Sequence, residues 1–271
     1  MAASVTAERL LAYACVVTPV LSAHQWLVII AAAIGGALAA QTGAPAVPGL
    51  LSVPAFSAMA IGPLQGPWRA AGLPKQTLPV TRFDIVEVAG KPVVRVRSDN
   101  SYGNLVLEVV PVVPGAQWLL RWSWSLQRGL QDSDLSTEKG DDSPLKVCAL
   151  FDMPLSGLGL AQRTKLRLAR SLSGENLPSA TLCYVWDRLL PAGSEIPNAF
   201  SDRVRYIVVA TGPARPGEWF NYQRTLAADF QLAFGHESAV LPPLLAIAVG
   251  ADSDNTGGNS LGLVGDISLT P

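Results

Sequence analysis

From Thr81 to the C-terminus, hydrophobic and polar residues alternate with a period of two. In "QWLLRWSWSL" (117–126), Trp118, Leu120, Trp122, Trp124 and Leu126 share one face while Arg121, Ser123 and Ser125 take the other. Successive side chains of a strand point to opposite sides, so this pattern predicts a strand with one buried face. "RFDIVEVAGKPVVRVRSD" alternates on both sides of Ala89, Gly90, Lys91 and Pro92, which predicts a hairpin. "NLVLEVVPVV", "LKVCALFD", "ATLCYVWD", "DRVRYIVVAT", "EWFNYQRTL", "LLAIAVGAD" and "LGLVGDISL" extend the series to about ten strands, divided by Gly, Pro and Asp turns. The predicted fold is all-β, an antiparallel two-sheet β-sandwich of jelly-roll type.

Two short helices interrupt the strands. Residues 227–234 put Phe230 and Phe234 one turn apart and stop at Gly235, a residue suited to the position after a helix end. Residues 159–172 carry Arg163, Arg167 and Arg170 on one face, which reads as a solvated face covering a sheet, or as a basic face for an anionic membrane or partner.

The periodic region starts late. Residues 10–40 carry no formal charge, and "WLVIIAAAIGGAL" runs to Leu38 without interruption. This stretch has the length of a signal-peptide core, with Ala37-Leu38-Ala39 as a cleavage pattern, and the whole of it also suffices to span a bilayer. Residues 1–40 are therefore a signal peptide or a membrane anchor helix, and either one exports the rest to the periplasm or its membrane face. Residues 41–65, rich in Pro, Gly and Ala, are expected to be a linker, and 66–271 the sandwich domain.

Composition narrows the function by exclusion. Twenty Lys and Arg oppose 21 Asp and Glu, a net charge of −1, so no basic surplus marks a nucleic-acid partner. Of two histidines, His24 lies in the leader, leaving His236 beside a helix end. There is no Gly-x-Ser-x-Gly elbow, HExxH, paired CxxC or P-loop. Beyond Cys15 in the leader, Cys148 and Cys183 form an even pair, either buried thiols or a disulfide. The tryptophan stripe around Trp122 resembles a sugar-stacking platform in spacing, but its face also carries Leu120 and Leu126 and so reads as core.

Two acidic loops remain. "LQDSDLSTEKGDDSP" (130–144) holds Asp141 and Asp142, and "ADSDNTGGNS" (251–260) holds Asp252, Asp254, Asn255 and Thr256. Asp, Asn and Gly suit a tight turn, whose side chains bond their own backbone. Asp252 and Asp254 also point the same way along a strand, which calls for a cation or a basic side chain to offset two like charges. Calcium, with its oxygen-rich coordination, is the candidate metal for Asp252 and Asp254, and Asp141, Asp142, Asn255 and Thr256 are the candidate ligand contacts. The spacing is not that of an EF-hand, because Leu263 occupies the twelfth position.

"RWSWSL", "KGDDSPLKVCALFD", "LCYVWD", "WFNYQRTLAADFQLAFG" and "ADSDNTGGNSLGLVGDISL" stand in the order of five motifs of the bacterial domain-of-unknown-function family 3047, which the chain resembles from Trp68 to its end. The resemblance implies an exported jelly-roll-like sandwich with no established activity. It carries Asp141, Asp142, Asp252, Asp254, Asn255, Thr256 and Asp266 over as that family's polar signature. Cys183 replaces an expected Asn, and Val264 an expected aromatic residue. The expected function is a non-catalytic binding module for a glycan or another envelope component. The alternatives are a carboxylate-dependent glycan-active enzyme, with paired acids as catalysts, and a structural subunit of an envelope complex with a protein partner.

Overall fold

The computed structural model describes residues 51–271 apart from 73–75, 161–162, 165 and 169–177. The expected leader or anchor of residues 1–40 lies outside the described residues, as do residues 41–50 of the expected linker. Among the described residues no helix is long and apolar enough to cross a membrane.

Among the described residues the alternating runs form fourteen strands in two sheets, numbered here in chain order. The first sheet has the order β1 (Gly62–Pro63), β3 (Arg82–Val88), β4 (Lys91–Asp99), β13 (Asn259–Val264), β6 (Leu119–Arg128), β11 (Phe220–Thr225), with β14 (Ser268–Thr270) also pairing β6. The second runs β2 (Trp68–Ala71), β5 (Tyr102–Val112), β12 (Leu244–Asp252), β7 (Lys146–Phe151), β8 (Ala180–Asp187), β10 (Ser201–Thr211), β9 (Glu195–Asn198). Among the named strands pairing is antiparallel except between β8 and β10, which run parallel with β9 folded back against β10. The β3–β4 hairpin turns on Ala89 (φ 50°) and Gly90 (φ 78°), the positive pair that lets a two-residue loop follow the strands' twist.

The expected core stripe is the core. Leu120, Trp122, Trp124 and Leu126 are buried between the sheets, where Trp122 meets Tyr184 of the facing sheet at 5.0 Å between ring centroids and Tyr222 at 5.1 Å. The helix Leu226–Phe234 closes one end, burying Leu226, Phe230, Ala233 and Phe234, a spacing of three to four residues that lines one helical face. Gly235 follows in right-handed conformation (φ −59°), so the helix ends without the left-handed cap that a glycine there suggests. The described residues of the second expected helix, between 160 and 168, are helical, and Arg170 falls outside the description.

One further expectation is corrected and one refined. Part of the supposed linker is packed: Phe56 is fully buried against Trp68 (4.8 Å), and Leu51, Val53, Met59 and Leu64 pack on the core. Proline-rich sequence without periodicity hides such an anchor. The 251–260 stretch, read as a tight turn, does turn at 254–257 but joins β12 of the second sheet to β13 of the first. It is an arch across the sandwich, which explains why it is longer than a hairpin turn needs to be.

β7, β8 and β12 are buried along their whole length. Their inward residues join the central core, and their outward residues form a second cluster with Leu135, Val204, Tyr206 and Val208, packed by Leu190 and Ile196. The outer face of the second sheet is therefore covered, whereas that of the first carries Arg, Ser, Asn and Gln.

Candidate functional site

The acidic loops meet on the covered face. Gly250 of β12 pairs with Asn104 on one side and Lys146 on the other. A Cβ at residue 250 would lie 2.1 Å from the Asn104 Oδ1 and 3.0 Å from the Lys146 Cε, so the missing side chain is what lets both neighbours fold over the strand. Lys146 reaches along β12 to Asp252, with Nζ 2.7 Å from Oδ2 and 5.2 Å from the Tyr102 ring centroid. The other carboxylate oxygen of Asp252 accepts from the Ser143 backbone N–H at 2.7 Å. Lys146 and Asp252 are 2% and 1% exposed at their side chains, so neither charge is hydrated and each depends on the other.

Asp141 lies on the same face, fully buried, accepting from the Asn198 Nδ2 and, at 3.2 Å, from the Tyr206 hydroxyl. Burial pushes its carboxyl up to about 7, the Asp252 charge adds to the shift, and Lys146 opposes it. Asp252 is also raised, by burial first, with Lys146 opposing. Burial is the largest single influence and works against the Lys146 ammonium, but Asp252, Tyr102 and Asp141 together outweigh it and hold the group above its ordinary value. Burial likewise raises the Tyr102 phenol to about 12.

Asp142 ties the two loops together. It accepts from the backbone N–H of Asn255 (3.1 Å) and Thr256 (2.7 Å), from the Thr256 hydroxyl (2.7 Å) and from the Asn255 Nδ2 (3.3 Å). Asn255 Nδ2 also donates to the Asp141 carbonyl at 2.8 Å. Asp141, Asp142, Asn255 and Thr256 are thus brought together: the side chains of Asp142, Asn255 and Thr256 are directed at one another and at the two loops, while the Asp141 carboxylate turns to Asn198 and Tyr206. Asp252 and Asp254 diverge in environment: Asp252 is engaged by Lys146, and Asp254 is half-buried at the arch. Among the described residues no group of three or more His, Cys, Asp or Glu is placed to hold a metal ion. Below this cluster Cys148 and Cys183, directly opposite each other on β7 and β8, form a disulfide with Cα atoms 4.0 Å apart. The disulfide and Ala248 floor a pocket of about 30 Å³, rimmed by Lys146, Asn104 and Thr181, with room for about one water.

The open site lies on the opposite side of the molecule. A groove of about 820 Å³ runs over β6 and β11 on the outer face of the first sheet. Arg121 and Ser123 of β6 and Asn221 and Gln223 of β11 line it, cross-strand neighbours whose outward direction follows from the alternation that turns Trp122 and the half-buried Tyr222 toward the core. Arg121 is held in place by Gln223 Oε1 (2.8 Å from Nε) and Thr270 Oγ1 (2.5 Å from Nη1). Half-buried Trp219, just before β11, and Lys91 at the β3–β4 turn line it further. Gly265 interrupts the β13–β14 edge directly over Ser123, where a Cβ would meet the hydroxyl at 2.3 Å, and turns Asp266 out to accept from the Ser57 N–H (2.8 Å) and hydroxyl (2.6 Å). Sequence reasoning had placed Arg121 and Ser123 on the polar face of a strand; the alternation marked that face without showing that it stays open.

Fold and site define a two-sheet β-sandwich with one sealed face and one open, polar, aromatic-edged face. The chain belongs to the family described as "Protein of unknown function (DUF3047)", whose family model matches residues 66–268. Among solved structures it is similar to a family 11 carbohydrate-binding module of the cellulase Lic26A-Cel5E of Clostridium thermocellum (9% identity, 79% of this chain and 91% of that chain, TM-score 0.37). It is also similar to the endoglucanase cel12A from Rhodothermus marinus (14% identity, 76% and 97%, TM-score 0.38). A search of curated protein sequences finds no match.

Proposed function

We propose that this protein is an exported binding module that holds a glycan chain in the groove over β6 and β11. The observation that carries the reading is the groove's make-up: about 820 Å³, within the size of ligand sites, with fixed planar donors and an indole at its edge. A sugar ring offers an apolar C–H face and a rim of hydroxyls. The Trp219 indole supplies the matching apolar surface, and Arg121, Asn221 and Gln223 supply donors and acceptors for the rim. Arg121 is already ordered by Gln223 and Thr270, so less side-chain freedom is lost on binding. The Cys148–Cys183 disulfide supports an oxidising compartment such as the periplasm, in line with the expected leader. Screening wild type and Trp219→Ala on a glycan array tests the reading, with binding expected for wild type and lost in the variant.

A hydrolase reading draws on one observation, the Asp141 carboxyl held near 7 beside Asp252, which is acid–base chemistry in kind. Both groups are buried at 1% exposure or less, so a glycosidic bond reaches them only if the 130–144 loop lifts. Release of reducing sugar that Asp141→Asn abolishes would favour the enzyme.

A further inference from the structure

We infer that the face carrying the groove also has an anion subsite built from a cross-strand row of arginines, and that the glycan is an acidic polysaccharide lying across both. This rests on the binding reading above. Arg82 of β3 pairs with Arg97 of β4, Arg97 with Leu261 of β13, and Leu261 with Arg128 of β6, so three guanidinium-bearing positions occupy one row over four strands. Like charges directly opposite each other in a sheet are destabilising, and Arg82 and Arg97 are such a pair. The three arginines line a cavity of about 460 Å³ together with Asp99, Ser98 and Asn259.

Among the described residues, local carboxylates do not balance the row. Asp84 takes Arg95 in a two-pronged contact (3.1 and 2.5 Å) and reaches Arg97 only at 3.5 Å. Arg128 donates to the Asn259 amide oxygen at 2.7 Å, an acceptor without charge. Arg82, Arg95, Arg97 and Arg128 therefore face Asp84 and Asp99, four positive groups against two negative, in a chain whose net charge is −1. A planar guanidinium fork is matched in shape by a carboxylate.

The two sites are joined by the same strands. β4 carries Lys91 in the groove and Arg97 in the arginine cavity, and β6 carries Arg121 and Arg128 likewise. At the rise of an extended strand, Lys91 and Arg97 are about 20 Å apart. A monosaccharide fills one site; a chain with carboxylates along its length fills both, gaining effective concentration at the second site once bound at the first.

Oligomers of polygalacturonate and their methyl esters, titrated calorimetrically into the protein at low and high salt, test this directly. The expected result is about tenfold tighter binding of the acid than of its ester at low salt, the weight of a charge-assisted contact or two. That advantage shrinks at high salt. Arg82→Gln combined with Arg128→Gln removes the advantage and leaves ester binding unchanged, with a melting temperature at or above that of wild type because the Arg82–Arg97 repulsion is relieved. Equal binding of acid and ester, or an advantage that survives both substitutions, overturns the arginine subsite while leaving the groove reading intact. Binding of single-stranded DNA with no binding of either oligomer overturns both.

Discussion

The two outer faces of this sandwich hold charged residues under opposite conditions. On the second sheet, Lys146, Asp252 and Asp141 are closed off beneath the 130–144 loop and the arch of residues 253–258, with each polar atom committed to a protein partner. On the first sheet, Arg121, Asn221 and Gln223 line an open groove, and Arg82, Arg97 and Arg128 an open cavity. Charge in the first setting is coupled to folding, because every unmet group there keeps its desolvation cost. Charge in the second stays hydrated until a ligand replaces the water. Substitutions on the two faces should therefore separate into stability effects and binding effects.

The largest expected effect is on the sealed side. Lys146→Met strands the buried Asp252 carboxylate and should cost roughly 3–5 kcal/mol, read as a drop in melting temperature of about 10 °C or more. Adding Asp252→Leu should restore most of the loss, since an apolar pair replaces an ion pair. If the single variant melts like wild type, the pair is not dry.

Asp141 gives the second effect. Its folded-state carboxyl, held up to about 7, keeps a proton that the unfolded chain has already released, so the folded state binds more protons over that interval. Stability accordingly falls as pH rises from about 4 toward 7 and is level beyond, with a penalty on the order of 4 kcal/mol at the plateau. Asp252, shifted in the same direction, adds to the fall. Urea unfolding of Asp141→Asn across this range should show a much flatter profile and a variant more stable than wild type at pH 8.

Breaking the Cys148–Cys183 bridge comes next. It closes a loop with a sequence separation of 35, worth about 4 kcal/mol through the unfolded state. Melting with and without a thiol reductant, with Cys148→Ala/Cys183→Ala as control, should show that loss in both.

What was legible in the sequence divides along the same line. Alternation in 117–126 fixes which side chains share a face, and the coexistence of Trp122 with Leu120 and Leu126 marks that face as core. Neither the local pattern nor the turn residues say what lies over the opposite face, because that depends on loops distant in sequence. Leu135, Leu190 and Ile196 cover one sheet, and among the described residues nothing comparable covers β6 and β11. The acidic loops stood out by composition, but their meeting through Asp142, Asn255 and Thr256 joins segments more than a hundred residues apart, which no local pattern shows. The basic side chain that offsets Asp252 was harder to find, because Lys146 stands in an apolar run and reaches its partner only through the gap at Gly250. Trp219 stood at the start of a run read as a strand, in period with Asn221 and Gln223, but that run alone does not show that this face lines a groove.

The smallest expected change in stability belongs to Trp219→Ala, within about 0.5 kcal/mol of wild type for a substitution on an open groove. That variant therefore isolates binding from folding. The most direct measurement is the affinity of polygalacturonate oligomers for wild type, Trp219→Ala and Asp141→Asn, each first shown to melt cooperatively. Loss of at least about tenfold in the Trp219 variant, with Asp141→Asn unchanged, is the result expected of a ligand site on the first sheet. Unchanged affinity in Trp219→Ala together with loss in Asp141→Asn would contradict it and place the ligand at the sealed cluster instead.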